Sequence, residues 1–218
     1  MRRTKITTED FMKLLTNSLY KSEKKVEEII QSIMNILGLK DHYTKGHSER
    51  VAKYSKILAK KSNQYDEAAL SNFYFASLLH DIGKLGISNK ILNKTTYLTN
   101  DEYNVIKTHP KLGVKLIKSL SLNEEGESVI RSHHERWDGS GYPDGLKNNE
   151  IPYGARIVSL ADTFDAMTST RAYRPALSPE EAYKRIIEGA GTQFDPELVE
   201  DFKMVYPSWI RILESSLC

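Results

Sequence analysis

Seven side chains of the metal-ligand type each lie on or beside an apolar segment of this chain: His47, His80, Asp81, His109, His133, His134 and Asp162. Any fold that buries those segments carries the seven side chains inward. A buried imidazole or carboxylate is costly without a partner. The fold must therefore give them partners, and imidazole with carboxylate is a donor set that holds transition metals without thiols. Five of the chain's six histidines belong to this set.

Helical spacing supports the inward placement. Val51, Tyr54 and Leu58 follow His47 at offsets that keep one face. The run from Phe73 to Leu79 is almost continuously apolar and delivers His80 and Asp81 to the end of a buried helix. Val129 precedes His133 by one helical turn, and Ile130 precedes His134 likewise. Asp162 is embedded among Ile157, Val158, Leu160, Ala161 and Phe164. His42 has no such support and reads as a surface residue.

The rest of the chain reads as all-α. Thr99 and Glu102 have the spacing of a capping box. Ser178-Pro179 with Glu181, and Asp195-Pro196 with Glu197, each combine an N-cap, a first-turn proline and an acidic first turn. Residues 8–38 form a helix or helix pair with an apolar stripe of Val26, Ile29, Ile30, Ile33, Met34 and Leu37, and Gly38 is its expected stop. That stripe packs on the domain or pairs two subunits as a homodimer. From Asp138 to Gly154 the density of glycine and proline precludes a regular helix. This loop starts four residues after His134, where substrate would be received. The expected division is an N-terminal helical appendage (1–39), a catalytic domain (40–205) and a C-terminal tail or helix (206–218).

With 218 residues, 39% apolar and 28% charged, the chain suits a soluble, well-cored domain. A net charge of +2 gives no basis for DNA or RNA binding. The single cysteine, Cys218, excludes an internal disulfide framework. No apolar run follows the basic start, so the expectation is a cytoplasmic protein with no signal peptide and no membrane span.

Seven ligands exceed a single tetrahedral zinc site. They divide between two metals if Asp81 is shared: His47, His80, Asp81 and Asp162 on one, and Asp81, His109, His133 and His134 on the other. Paired metals roughly 3.5–4 Å apart suit in-line displacement at phosphorus. Iron or manganese fits this ligation best, with zinc, cobalt and nickel compatible by ligand type. Histidine ligation also predicts that metal is lost as pH falls towards roughly 6.

These residues, in this order, resemble the HD-GYP family of the HD phosphohydrolases. The naming pair is His80-Asp81, within His80-Asp81-Ile82-Gly83-Lys84. The naming triplet is Gly141-Tyr142-Pro143, which closes a run that opens with His133-His134-Glu135. The resemblance spans roughly residues 40–205. It implies an all-α HD-domain helical bundle with a Gly/Pro-rich GYP loop and a di-metal centre. It also implies hydrolysis of cyclic di-GMP to linear pGpG and onward to GMP, a turnover of a bacterial second messenger. The seven ligands match the family's metal positions. Lys84, Tyr142, Arg171 and Arg174 match positions that handle substrate, and guanidinium forks suit its phosphates. Asp81 and Lys84 carry catalysis. Asp165, one turn after Asp162, either braces a ligand or acts as an acid. Some members place a glutamate four residues before the first metal histidine and hold a third metal. Tyr43 stands there, so two metals are expected, with pGpG as the main product. The alternatives are a module that binds the dinucleotide without cutting it, and a phosphodiesterase for a mixed GMP–AMP cyclic dinucleotide.

Overall fold

Helix follows helix through residues 23–40, 44–62, 64–118, 124–170 and 175–216, which the computed structural model describes. The elements are α1 (Glu23–Lys40), α2 (Thr44–Lys61), α3 (Glu67–Leu78), a 3-10 helix (Ile82–Gly86), α4 (Asn89–Leu92), α5 (Asn100–Ile106), α6 (His109–Ile117) and α7 (Glu124–Ser132). A 3-10 turn (Asn148–Glu150), α8 (Tyr153–Thr168), α9 (Pro179–Glu188) and α10 (Pro196–Ser215) complete the order. Among the described residues no β-strand forms, and one isolated bridge joins Ala190 to Phe194. None of the described helices is long and apolar enough to cross a membrane.

The helix starts follow the local chemistry. Thr99 and Glu102 close a reciprocal capping box at α5. The Ser178 hydroxyl accepts from Glu181 N–H at α9, and the Asp195 carboxylate accepts from Glu197 N–H at α10. Both helices carry proline in the first turn, where no backbone donor is needed.

Two apolar clusters flank the site. The larger joins α2, α3, α8, α9 and α10 through Val51, Tyr54, Phe73, Phe164, Phe202 and Trp209. Its centre is aromatic: Tyr54 lies 5.4 Å from Phe164 and 4.7 Å from Trp209, centroid to centroid. Each such fully buried ring stabilises the fold by roughly 1.5–3 kcal/mol, so α2 and α8 are held firmly face to face. The smaller cluster joins Ile30, Ile33, Met34 and Leu37 of α1 to Leu79, Ile82, Ile117 and Ile130. Val129 enters the first cluster and Ile130 the second. The end of α7 is therefore wedged between them, one residue before the paired histidines.

Two boundaries differ from the sequence expectation, at the end of α1 and at the start of α8. α1 runs through Gly38 to Lys40, because the Lys40 ammonium donates to Leu85 O and Asn93 Nδ2 donates back to Lys40 O at 3.2 Å, which tie its end down. The glycine-rich loop stops at Pro152, and Gly154 lies inside α8. A Cβ there would stand 2.8 Å from Val129 Cγ2 and 3.0 Å from Phe73 Cε2, so this glycine serves packing rather than a turn. α10 continues across residues 205 and 206, with Pro207 inside it, because Val205, Trp209 and Leu213 extend one buried stripe. The described part of the α1 stripe, Ile29 to Leu37, packs within the chain.

Candidate metal centre

Helix ends contribute most of the cluster. The buried α3 ends at Leu78, and the chain passes through His80 and Asp81 into the 3-10 helix. His109 opens α6 with Pro110 behind it in the first turn. His133 and His134 follow the last turn of α7. His47 lies in the first turn of α2, and Asp162 lies on α8 opposite it.

Two groups of donor atoms result, each with all its atoms within 4.8 Å of one another: Asp81, His109, His133 and His134, and then His47, His80 and Asp162. Asp81 stands between them. Its Oδ1 lies 3.3 Å from His109 Nε2 and 4.0 Å from His133 Nε2. Its Oδ2 lies 3.4 Å from His80 Nε2 and 3.9 Å from His47 Nε2. One carboxylate thus presents one oxygen to each group.

The tautomers follow from the backbone. The Nδ1–H groups of His80, His109 and His133 donate to the carbonyls of Ser77 (2.7 Å), Ile106 (2.8 Å) and Ile130 (2.9 Å). A carbonyl only accepts, so each proton sits on Nδ1 and each Nε2 offers a lone pair. His109 Nε2 and His133 Nε2 then face each other at 3.3 Å with no proton between them. Two more buried atoms, His80 Nε2 and Asp81 Oδ1, have no hydrogen-bond partner. Leaving a buried polar atom unpaired costs about 1–3 kcal/mol. Converging lone pairs with no donor are the complement of a cation, and the donor types suit divalent transition metals.

The electrostatics agree. Burial pushes His133 well below the ordinary histidine value, and the neighbouring His134, His80 and His109 push the same way. Burial also lowers His134, and it brings His109 down to about 3 against the pull of Asp81. Burial opposes ionisation of Asp81, but Lys84 and the surrounding histidines outweigh it and hold this carboxyl far below its usual range. His47 goes the other way. Burial disfavours its charge, yet hydrogen bonds to Asp162 and Asp165 overcome that and raise it to about 9.

This asymmetry separates the two groups by pH. A metal at His47 must displace a proton held up to about pH 9, so its apparent affinity falls by up to about tenfold per unit below that. The three histidines of the other group are already neutral at pH 7 and bind without that competition. On lowering pH from 9 to 5, dialysed protein is expected to lose the metal at His47, His80 and Asp162 first, rather than both together near 6. Metal content at each pH measures this, and simultaneous loss of both ions would contradict it.

Residues 31–198 match the HD domain family. The chain belongs to the HD domain family. Its His80-Asp81 and Gly141-Tyr142-Pro143 place it with the HD-GYP members. This HD domain chain is 38% identical over 205 residues to a cyclic di-GMP phosphodiesterase of Thermotoga maritima, covering 88% of this chain and 55% of that protein. A cyclic di-GMP phosphodiesterase of Vibrio cholerae is 34% identical over 197 residues, covering 84% and 40%. A 3'3'-cGAMP-specific phosphodiesterase of the same organism is 37% identical over 174 residues, covering 79% and 37%. The HD domain chain spans about half the length of these relatives, or less. Its fold is similar to that of a solved cyclic GMP-AMP specific phosphodiesterase of V. cholerae, with a TM-score of 0.67 and 22% identity over 88% of this chain and 53% of that one.

Other expected site residues of this HD domain fall at its edge. Lys84 Nζ lies 2.6 Å from Asp81 Oδ2 with its side chain partly exposed. The Tyr142 ring stacks on His134, centroids 4.8 Å apart and planes at 28°. Arg171, Arg174, His42 and Tyr43 lie outside the described residues.

Asp165 lies against the Nδ1 side of His47. It is fully buried, and its Oδ2 accepts from His47 Nδ1 at 2.8 Å. Arg50 donates from Nε to Oδ1 (2.6 Å) and from Nη2 to Oδ2 (3.0 Å). Burial works against its charge, but His47 and Arg50 keep its carboxyl below the ordinary value. Both its oxygens are thus taken by His47 and Arg50, the arrangement of a brace on the His47 ring. Arg50, three residues after His47, is the partner that the sequence did not single out. Its spacing placed it on the same helix, but nothing in the sequence pointed it at α8.

Proposed function

We propose that this chain is a metal-dependent phosphodiesterase that opens cyclic di-GMP to linear pGpG, with onward cleavage to GMP the minor step. The observation that carries this reading is the position of Asp81 between two groups of converging donor atoms, with one oxygen towards each. Two ions, iron or manganese by ligand type, would be held by His47, His80, Asp81 and Asp162, and by Asp81, His109, His133 and His134. When bound, such ions supply Lewis-acid stabilisation of the charge that develops at phosphorus and activate the nucleophile.

The chain's own residues do the remainder. Lys84 places a cation at the rim, where a non-bridging phosphate oxygen would dock beside Asp81. Tyr142, stacked on His134, supplies a flat wall with a hydroxyl, and burial keeps that hydroxyl protonated far above neutral pH. Asp165 and Arg50 hold the His47 ring so that its Nε2 faces the cluster. Arg171 and Arg174 are assigned to the second phosphate or a guanine edge by their place in the motif.

A cGAMP-specific relative at 37% identity supports a second reading, in which the substrate is a mixed GMP–AMP cyclic dinucleotide. Incubating iron- or manganese-loaded protein with each dinucleotide, and separating products by chromatography, distinguishes the two. Fully metallated protein that leaves both intact would overturn both readings. Lys84→Ala is expected to lower kcat by about 10²–10³, as loss of one positioned cationic donor does, with both metals retained. Loss of metal in that variant would instead assign Lys84 to holding Asp81.

A further inference from the structure

The end of α7 carries more than metal ligands. We infer that Glu135 is a positioning residue for the substrate: its carboxylate carries the loop that seats Tyr142 against His134. The inference rests on the phosphodiesterase reading and adds the device that orients the substrate wall.

Glu135 is only 2% exposed, although residues 144 and 145 above it are exposed. A buried carboxylate needs compensating donors. Glu135 takes them from three successive backbone N–H groups: Asp144 and Gly145 donate to Oε1 at 2.7 and 3.2 Å, and Leu146 donates to Oε2 at 3.1 Å. Two residues earlier, Tyr142 N–H donates to His134 O at 3.2 Å, and Pro143 has no N–H to satisfy. Every backbone donor from residue 142 to 146 is therefore taken by His134 or Glu135. The segment that holds the metal-facing imidazoles also fixes the chain that presents the Tyr142 ring.

A second tie is present but weaker. Arg131 of α7 holds the Asp144 carboxylate with two bonds, at 2.7 and 2.9 Å. That pair is solvated, and exposed ion pairs contribute little. Charge-assisted bonds from backbone N–H groups to a carboxylate are the stronger kind. Glu135, rather than Arg131, sets the loop. Glu135 belongs to neither donor group and both its oxygens accept from the loop backbone, so its loss should be felt in substrate binding and not in ligation.

The test compares Glu135→Ala, Glu135→Gln, Arg131→Ala, Tyr142→Ala and the double variant Glu135→Ala/Tyr142→Ala in metal-loaded full chain. Glu135→Ala is expected to raise KM for cyclic di-GMP by about tenfold, the worth of a charge-assisted bond lost, with metal content unchanged. Glu135→Gln keeps one acceptor oxygen and should recover part of the loss. Arg131→Ala should stay within a few-fold of wild type, as exposed pairs do. The double variant should be no worse than Tyr142→Ala alone. Costs that multiply in the double variant, or loss of metal in Glu135→Ala, would overturn the inference. Amide hydrogen exchange provides an arm that needs no turnover: Glu135→Ala should deprotect residues 144–146 and Tyr142. Unchanged protection overturns the inference even if wild type fails to cut the dinucleotide, an outcome that would separately sink the phosphodiesterase reading.

Discussion

Asp81→Ala is expected to empty both metal positions and abolish turnover. The Asp81 carboxylate presents one oxygen to each donor group. Oδ1 closes the His109 and His133 side, and Oδ2 closes the His47 and His80 side. Lys84 also has its ammonium on Oδ2. Truncation removes the anion from among the inward lone pairs and leaves Lys84 facing them. The activity loss should exceed the roughly 10²–10³ that removal of a single positioned donor costs. Elemental analysis of purified protein measures the first effect, and dinucleotide turnover the second. Asp81→Asn separates charge from shape: it keeps the volume and one oxygen but removes the anion, and should also lose metal. The helical signal in circular dichroism should persist in both variants, because the flanking Leu79 and Ile82 remain packed in the smaller apolar cluster. Retention of two ions in Asp81→Ala would refute the shared-ligand arrangement.

Much of the donor set could be seen in the chain because each donor rides an apolar stripe. Val51, Tyr54 and Leu58 carry His47 inward, and the Phe73–Leu79 run ends at His80, so helical period and burial are one signal. Capping chemistry located the starts of α5, α9 and α10 for the same local reason. What period does not encode is which neighbour a side chain meets. Asp165 is close to one turn from Asp162 and both face α2, but Asp165 meets the Nδ1 side of His47, where Arg50 and His47 take both its oxygens. Glu135 follows two donors in a run with no helical period, so its backbone partners nine to eleven residues ahead lay beyond any spacing rule. A proline inside a helix removes a backbone donor, yet α10 runs on past Pro207 because Trp209 and Leu213 beyond it are buried.

Gly83→Ala is expected to cost nearly as much activity as losing a ligand, although residue 83 donates nothing to a metal. A Cβ at Gly83 would stand 1.8 Å from the carbonyl oxygen of His109 and 2.6 Å from Gly113 N. Both are backbone atoms, so no side chain can swing away. Ordinary contact between heavy atoms needs about 3.5–4 Å, so the 3-10 helix and α6 must part by on the order of an ångström or more. α6 begins at His109, whose Nε2 lies 3.3 Å from both Asp81 Oδ1 and His133 Nε2. A misplacement of about 1 Å can cost roughly 10²-fold in rate, and overpacking of this kind costs about 1–3 kcal/mol of stability. His109 is the donor that α6 carries, so the variant should lose the metal at His109 before the one at His47. Gly86→Ala is the control. Its Cβ would meet Leu112 Cδ1 at 2.9 Å, the far end of a flexible side chain that can rotate. If the close backbone approach at Gly83 sets the geometry of His109, Gly83→Ala loses one ion and most activity while Gly86→Ala stays near wild type. Equal, mild effects in both variants would show that α6 can move without disturbing the cluster.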